Sequence, residues 1–270
     1  MFSYVIKMIM LTLTSLCVGG FVQADTAFSH QLWDQLLHKH VVMVNQGVAS
    51  QVDYAGMQQD STRLEEYLNQ LSAIGPEDFD SWTADEQLAF LINAYNAWTV
   101  QLILTEYPDI NSIKEIGSWF SSPWSITFIP LLGKQRSLDD IEHEMIRGEK
   151  GYHEPRIHFA VNCASIGCPA LRPEAYQGNK LDRQLELATR LFLEDRSRNY
   201  YQGNSLYVSK VFKWYQSDFK QGWRGTQNTE QFLALYSTAF GLDQEQKKNL
   251  SEGQMEITYT VYDWQLNRTP

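Results

Sequence analysis

The stretch Leu88-Ala-Phe-Leu-Ile-Asn-Ala-Tyr-Asn-Ala-Trp-Thr-Val-Gln-Leu-Ile-Leu104 constrains this chain more than any other. It is apolar nearly all round, and a helix without a polar face must be surrounded by protein. Gln101 interrupts it and charged residues follow, which favours a central buried helix over a membrane span. Thr83-Ala-Asp-Glu86 opens it as a capping box, and Pro108 follows its expected end at Glu106. Asn93 and Asn96 lie three apart on one face of it. Two readings stay open for these buried amides: they tie loops or strand ends to the core, or they line a pocket together with Asn162.

Around such a helix the chain must supply other elements to cover it. Phe28 to Val44 reads as a first amphipathic helix, and Leu64, Tyr67, Leu68 and Leu71 mark a second. Ser125 to Arg136 reads as two short strands around Gly133, followed by a helix over Leu138–Arg147 that Ser137 and Asp140 cap. Ile157 to Asn162 alternates like a strand, and Leu181 to about Asp195 reads as a helix. Ser205–Val208 is a brief strand, Ser209 caps a helix carrying Val211, Phe212, Tyr215 and Phe219, Thr229–Phe240 is a last helix, and Glu256–Tyr262 a closing strand. Helices and strands neither alternate regularly nor separate, so the expected class is α+β. We expect a single helix-rich domain over 25–270 with a small sheet, in a papain- or transglutaminase-like layout.

Residues 1–24 are set apart as a signal peptide. Lys7 precedes an apolar run from Met8 to Val22, and Val22-Gln23-Ala24 suits cleavage before Asp25. Leu16 directly before Cys17 speaks against lipid attachment. The expectation is a periplasmic or secreted protein with no stable membrane anchor after cleavage, in which only Cys163 and Cys168 remain. The net charge of −10 shows no basic footprint, so no nucleic-acid partner is expected.

The densest run of reactive residue types is Arg156 to Pro173. Cys163 enters the small-residue loop Ala-Ser-Ile-Gly-Cys168, whose backbone N–H groups are placed to lower a thiol pKa and to hold an oxyanion. A nucleophilic cysteine needs a base, and the two histidines in reach of the argument are His143, with Glu142 as orienting acid, and His158. Against this stands a Cys163–Cys168 disulfide, a small loop that would stabilise the fold by roughly 2–3 kcal/mol. A third alternative is a metal-dependent protein using His143, His158 and nearby acids. The Cys-x4-Cys spacing is long for zinc and lacks a second pair, so no metal site is assigned. No phosphate-cradling loop, H-E-x-x-H pair or G-x-S-x-G elbow is present, and no cofactor is expected. Among eight tryptophans, Trp119, Trp124 and Trp214 are placed to line a groove for a sugar or peptide.

Five phrases in order resemble the domain-of-unknown-function 547 family. They are Asn93-Ala-Tyr-Asn-Ala97; Leu138-Asp-Asp-Ile-Glu-His143; His158-Phe-Ala-Val-Asn-Cys163 with Cys168-Pro169; Phe212-Lys-Trp-Tyr215 with Asp218-Phe219; and Tyr262-Asp-Trp264 with Leu266-Asn267. The resemblance runs from about Val52 to Asn267. It implies a single α+β domain found in bacterial envelope proteins, and it brings no reaction. The residues themselves lead to a cysteine-dependent hydrolase or transferase acting on a small peptide-like or thiol substrate. The alternatives are a non-catalytic envelope domain that binds a small molecule or peptide, and the metal-dependent protein.

Overall fold

The computed structural model describes residues 28–117, 121–148 and 151–270. The signal-peptide expectation and Trp119 therefore lie outside the described residues. Helix α1 (Gln31–His40) ends earlier than its apolar spacing suggests. Val41-Val-Met-Val44, a run dominated by β-branched residues, leaves the helix as strand β1 and pairs antiparallel with β2 (Ala49–Val52), Val41 opposite Val52. Three short helices follow, α2 (Tyr54–Gln59), α3 (Ser61–Ser72) and α4 (Pro76–Asp80).

Helix α5 (Ala84–Leu104) is the buried axis that the sequence requires. Its capping box forms as expected, with the Glu86 N–H donating to Thr83 Oγ1 at 3.3 Å and the Thr83 N–H to the Glu86 carboxylate at 2.8 Å. The first hydrophobic core wraps it, with Trp33, Leu36, Tyr67, Phe90 and Ile92 fully buried. Strands β3 (Ile129–Leu131) and β4 (Lys134–Arg136) form a hairpin through Leu132 and Gly133, both at positive φ (50° and 72°). That is the two-residue turn whose twist matches the strands.

Helix α6 (Leu181–Glu194) leads to a second core, in which Phe159, Phe192, Phe212, Phe219 and Phe232 pack together. Over it lies a small sheet of β5 (Tyr200–Gln202), β6 (Ser205–Val208) and β7 (Glu256–Tyr259), β6 antiparallel to β5 and parallel to β7. Between β6 and β7 the chain forms α7 (Val211–Trp214), α8 (Thr229–Leu235) and α9 (Gln244–Ser251). The expected helix over Thr229–Phe240 is thus α8 plus a 3-10 turn at Ser237–Phe240. The class is α+β as expected, with three small sheets rather than one. Among the described residues no helix is long and apolar enough to cross a membrane.

Two further expectations need correction, and both fall beside the site. Ile157–Asn162 is not a strand. Pro155–Phe159 is a 3-10 turn, and Ala160–Asn162 continues without regular structure, buried throughout. The segment runs between the two cores and is covered on all sides: Ile157, Ala160 and Val161 belong to the first and Phe159 to the second. The Leu138–Arg147 helix is wound as a π-helix over Asp140–Ile146, with the Arg147 N–H donating to the Glu142 carbonyl at 3.0 Å. Such wide turns are rare and recur at functional sites.

Candidate functional site

The cysteine loop is held from two directions. From beneath, Asn96 on α5 donates to the Ala160 carbonyl at 3.0 Å and accepts from the Asn162 N–H at 2.8 Å. Asn162 in turn donates to the Pro169 carbonyl at 2.7 Å and accepts from the Ala164 N–H at 2.9 Å. Asn93 makes a two-way bond with the Tyr176 backbone, at 2.8 and 3.0 Å. These three amides fasten loops to the central helix. None stands in the wall of the site cavity, so the pocket-lining role expected for Asn93, Asn96 and Asn162 is not what the geometry shows. From above, the C-terminal segment lies along the loop: Ile166 and Gly167 donate to the Gln265 and Asp263 carbonyls, each at 2.8 Å. A Cβ at Gly167 would stand 2.8 Å from both the Tyr262 ring and the Asp263 carbonyl oxygen, so only glycine allows this approach.

Cys163 and Cys168 are free thiols with their sulfurs 2.8 Å apart, and no disulfide joins them. Cys163 is partly exposed, Cys168 buried. The Cys163 sulfur also lies 3.1 Å from the Ser165 hydroxyl and 3.1 Å from the Tyr262 hydroxyl. Burial by itself would raise the Cys163 pKa, but hydrogen bonds from Cys168, Ser165 and Tyr262 outweigh it and bring the thiol down to about 7. Burial and the neighbouring sulfur push Cys168 well up, so it keeps its proton and donates it. Burial and the two sulfurs do the same for Tyr262. The activating groups are therefore neutral donors rather than a histidine.

The expected oxyanion hole is not present in the loop. The Cys163 N–H points to the Cys168 sulfur at 2.8 Å, and those of Ala164, Ile166, Gly167 and Cys168 have internal acceptors. The Ser165 N–H is directed at the Cys163 sulfur.

Cys163 opens on a cavity of about 230 Å3. His143 and His158 both stand in its wall, with Glu142, Asp139, Tyr95 and Tyr215. The histidines differ sharply. His143 is exposed, with Nδ1 bonded to Arg147 and Nε2 at 3.6 Å from Asp139. Glu142 is buried instead of orienting His143, and its Oε1 has no hydrogen-bond partner. His158 is fully buried, stacked on Tyr215 with centroids 3.9 Å apart. Its Nε2 is 2.7 Å from Asp218, while its Nδ1 is unpartnered. Arg147 grips the same carboxylate with both Nε and a terminal nitrogen, at 2.6 and 3.1 Å. Burial lowers the His158 pKa more than Asp218 raises it, which leaves a neutral ring whose N–H faces the acid. Burial opposes ionisation of Asp218, yet the hydrogen bonds from His158 and Arg147 hold its carboxyl far below the usual range.

Sequence reasoning thus brought Cys163, His158, Glu142 and His143 to one cavity but missed Asp218 and Tyr262. Both sit in phrases already singled out, Phe212–Phe219 and Tyr262–Asn267, yet nothing local gives them a role at sequence distances of 60 and 99 from their partners. Trp124 and Trp214 line the cavity as expected, joined by Trp264. Among the described residues no three His, Cys, Asp or Glu side chains are grouped to hold a metal ion, so the metal-dependent alternative has no ligand set.

Residues 79–193 match the family described as Protein of unknown function, DUF547. The match takes in the phrases around Asn93, Leu138 and His158, while those at Phe212 and Tyr262 lie beyond it. No curated protein and no solved structure matches the chain.

Proposed function

The chain belongs, over residues 79–193, to the DUF547 family, and from that premise we propose that it is a cysteine-dependent hydrolase or transferase acting on a small peptide-like or thiol substrate. One observation carries the reading: a partly exposed thiol lowered to about 7 opens on a cavity whose wall also holds a neutral, acid-bound histidine with a free ring nitrogen. His158 takes the Cys163 proton, the thiolate attacks an acyl carbon, and the bond to the leaving group breaks as that proton is returned to it. Water or a second nucleophile then displaces the thiolate from the acyl-enzyme. His158 is the wall group suited to take and return that proton, and Asp218 fixes which nitrogen it uses. His158 thereby replaces His143 as base, and Asp218 replaces Glu142 as orienting acid. The papain- or transglutaminase-like layout and a periplasmic or secreted location belong to the same proposal.

The test is iodoacetamide labelling followed by mass across pH. Cys163 should label well before Cys168, with a rate midpoint near 7, against about 8.5 for an ordinary thiol. A midpoint at the ordinary value, or both cysteines labelling together, would overturn the reading. A second reading, a binding domain stapled by a disulfide, is favoured by the 2.8 Å between the sulfurs. It predicts no free thiol in protein purified without reductant, and a bond that resists mild reductant in the folded state.

A further inference from the structure

The Glu142 carboxylate is only partly satisfied in the cavity. Its residue is 4% exposed, and Oε1 lies buried without a partner. A buried acceptor left this way is costly unless a donor arrives. The Tyr215 hydroxyl is directed at this carboxylate, but among the described residues those lining the cavity include no lysine and no arginine to pair with its charge. Arg147 is engaged by Asp218 and His143, and it stacks 4.8 Å from the Tyr215 centroid. Asp139 adds a second acid to the wall.

The remaining wall is aromatic and continuous. Tyr262 and Trp264 rings are 4.5 Å apart, Trp214 and Tyr262 4.8 Å, and Trp124 and Trp264 5.8 Å. Aromatic faces attract diffuse organic cations, most strongly where water is excluded. One of these rings already takes an ammonium from outside the set of lining residues: Lys114 Nζ lies 4.4 Å over Trp264. An anion would meet Glu142, Asp139 and the Cys163 sulfur. A neutral apolar group would leave Oε1 as it stands. The volume of about 230 Å3 suits a headgroup rather than a polymer.

We propose that the cavity binds the alkylammonium group of a small organic cation, with Glu142 as its counter-ion and Trp214, Tyr215 and Tyr262 as its aromatic wall. This names the substrate class of the thiol site and rests on that reading only for the reacting end: the substrate is an acyl compound carrying a cationic nitrogen close to its carbonyl.

Calorimetric titration of Cys163→Ser protein separates binding from thiol chemistry. Choline is compared with 3,3-dimethylbutan-1-ol, its neutral carbon isostere, and with acetate. Choline should bind more tightly than the isostere by about tenfold or more, and acetate should not bind. Glu142→Gln should reduce that preference to within about threefold. Trp214→Ala, altering a half-exposed side chain, should weaken choline at least as much as the isostere. Equal binding of choline and isostere, no choline binding up to about 10 mM, or an undiminished preference in Glu142→Gln that holds in Trp214→Ala would overturn the proposal. The labelling midpoint of Cys163 decides the thiol reading separately. A cation preference with an ordinary thiol leaves this inference standing and removes the other.

Discussion

The buried amides beside α5 and the buried groups of the cavity are equally hidden from solvent, and they are treated in opposite ways. Asn93, Asn96 and Asn162 each both donate and accept within the protein, all to backbone. Glu142 Oε1 and His158 Nδ1 have no partner. A polar group that folding alone placed in the interior would be expected to be satisfied. Unpartnered buried atoms occur elsewhere too, Trp98 Nε1 and Thr99 Oγ1 on α5 among them, but those of Glu142 and His158 belong to residues that line an open cavity. The amides spend their hydrogen bonds on holding loops, and the cavity groups keep capacity in reserve for something that enters.

That contrast can be broken most decisively at Asn96. Asn96→Leu strips the Ala160 carbonyl and the Asn162 N–H of their partners and should destabilise the protein by about 3 kcal/mol, at roughly 1–3 kcal/mol for each buried group left unsatisfied. Urea unfolding measures this, and a variant as stable as the parent would show that the amides are idle. Asn93→Leu, which frees the Tyr176 backbone, should behave alike.

Acid comes next in size. Both His158 and Asp218 sit below their ordinary values when folded, so the unfolded chain takes up each proton first. Stability should therefore fall as pH drops through about 6.5, where unfolded histidine protonates, and again below about 4, where unfolded aspartate does. Unfolding midpoints across pH 3–8 follow the loss. In Asp218→Asn the lower step should shrink, and an unchanged profile would separate Asp218 from the acid response.

Tyr262→Phe removes one donor from Cys163 while keeping the ring. The labelling midpoint should rise by about one unit, a change worth about 1.4 kcal/mol. The smallest effect sharpens the contrast from the other side: Glu142→Gln should alter stability by no more than about 1 kcal/mol, because glutamine keeps the side chain's shape and an oxygen that can accept from Tyr215.

The legible and illegible parts of the sequence divide along the same line. Helix α5 could be read because its cap, its length and its apolar surface are local properties. The family resemblance was legible too, through phrases such as His158-Phe-Ala-Val-Asn-Cys163. The segment Ile157–Asn162 misled because its alternating residue types read as a strand, whereas all six residues are buried, its apolar side chains are divided between two cores, and Asn96 supplies the backbone bonds a neighbouring strand would have made. Likewise, the Ile166 and Gly167 amides looked free because their acceptors, Gln265 and Asp263, are distant in sequence. Asp218 and Tyr262 had no local signature at all, since each acts on a residue reached only through the fold.

The position of Tyr262 also places the site in time. During synthesis Cys163 leaves the ribosome some hundred residues before the hydroxyl that tunes it and before residues 263–267, which clamp its loop. Until then the cysteine lacks one of its three side-chain donors. A lowered Cys163 pKa therefore depends on docking of residues 262–267, and chains cut before Tyr262 should label more slowly at Cys163 than the full chain.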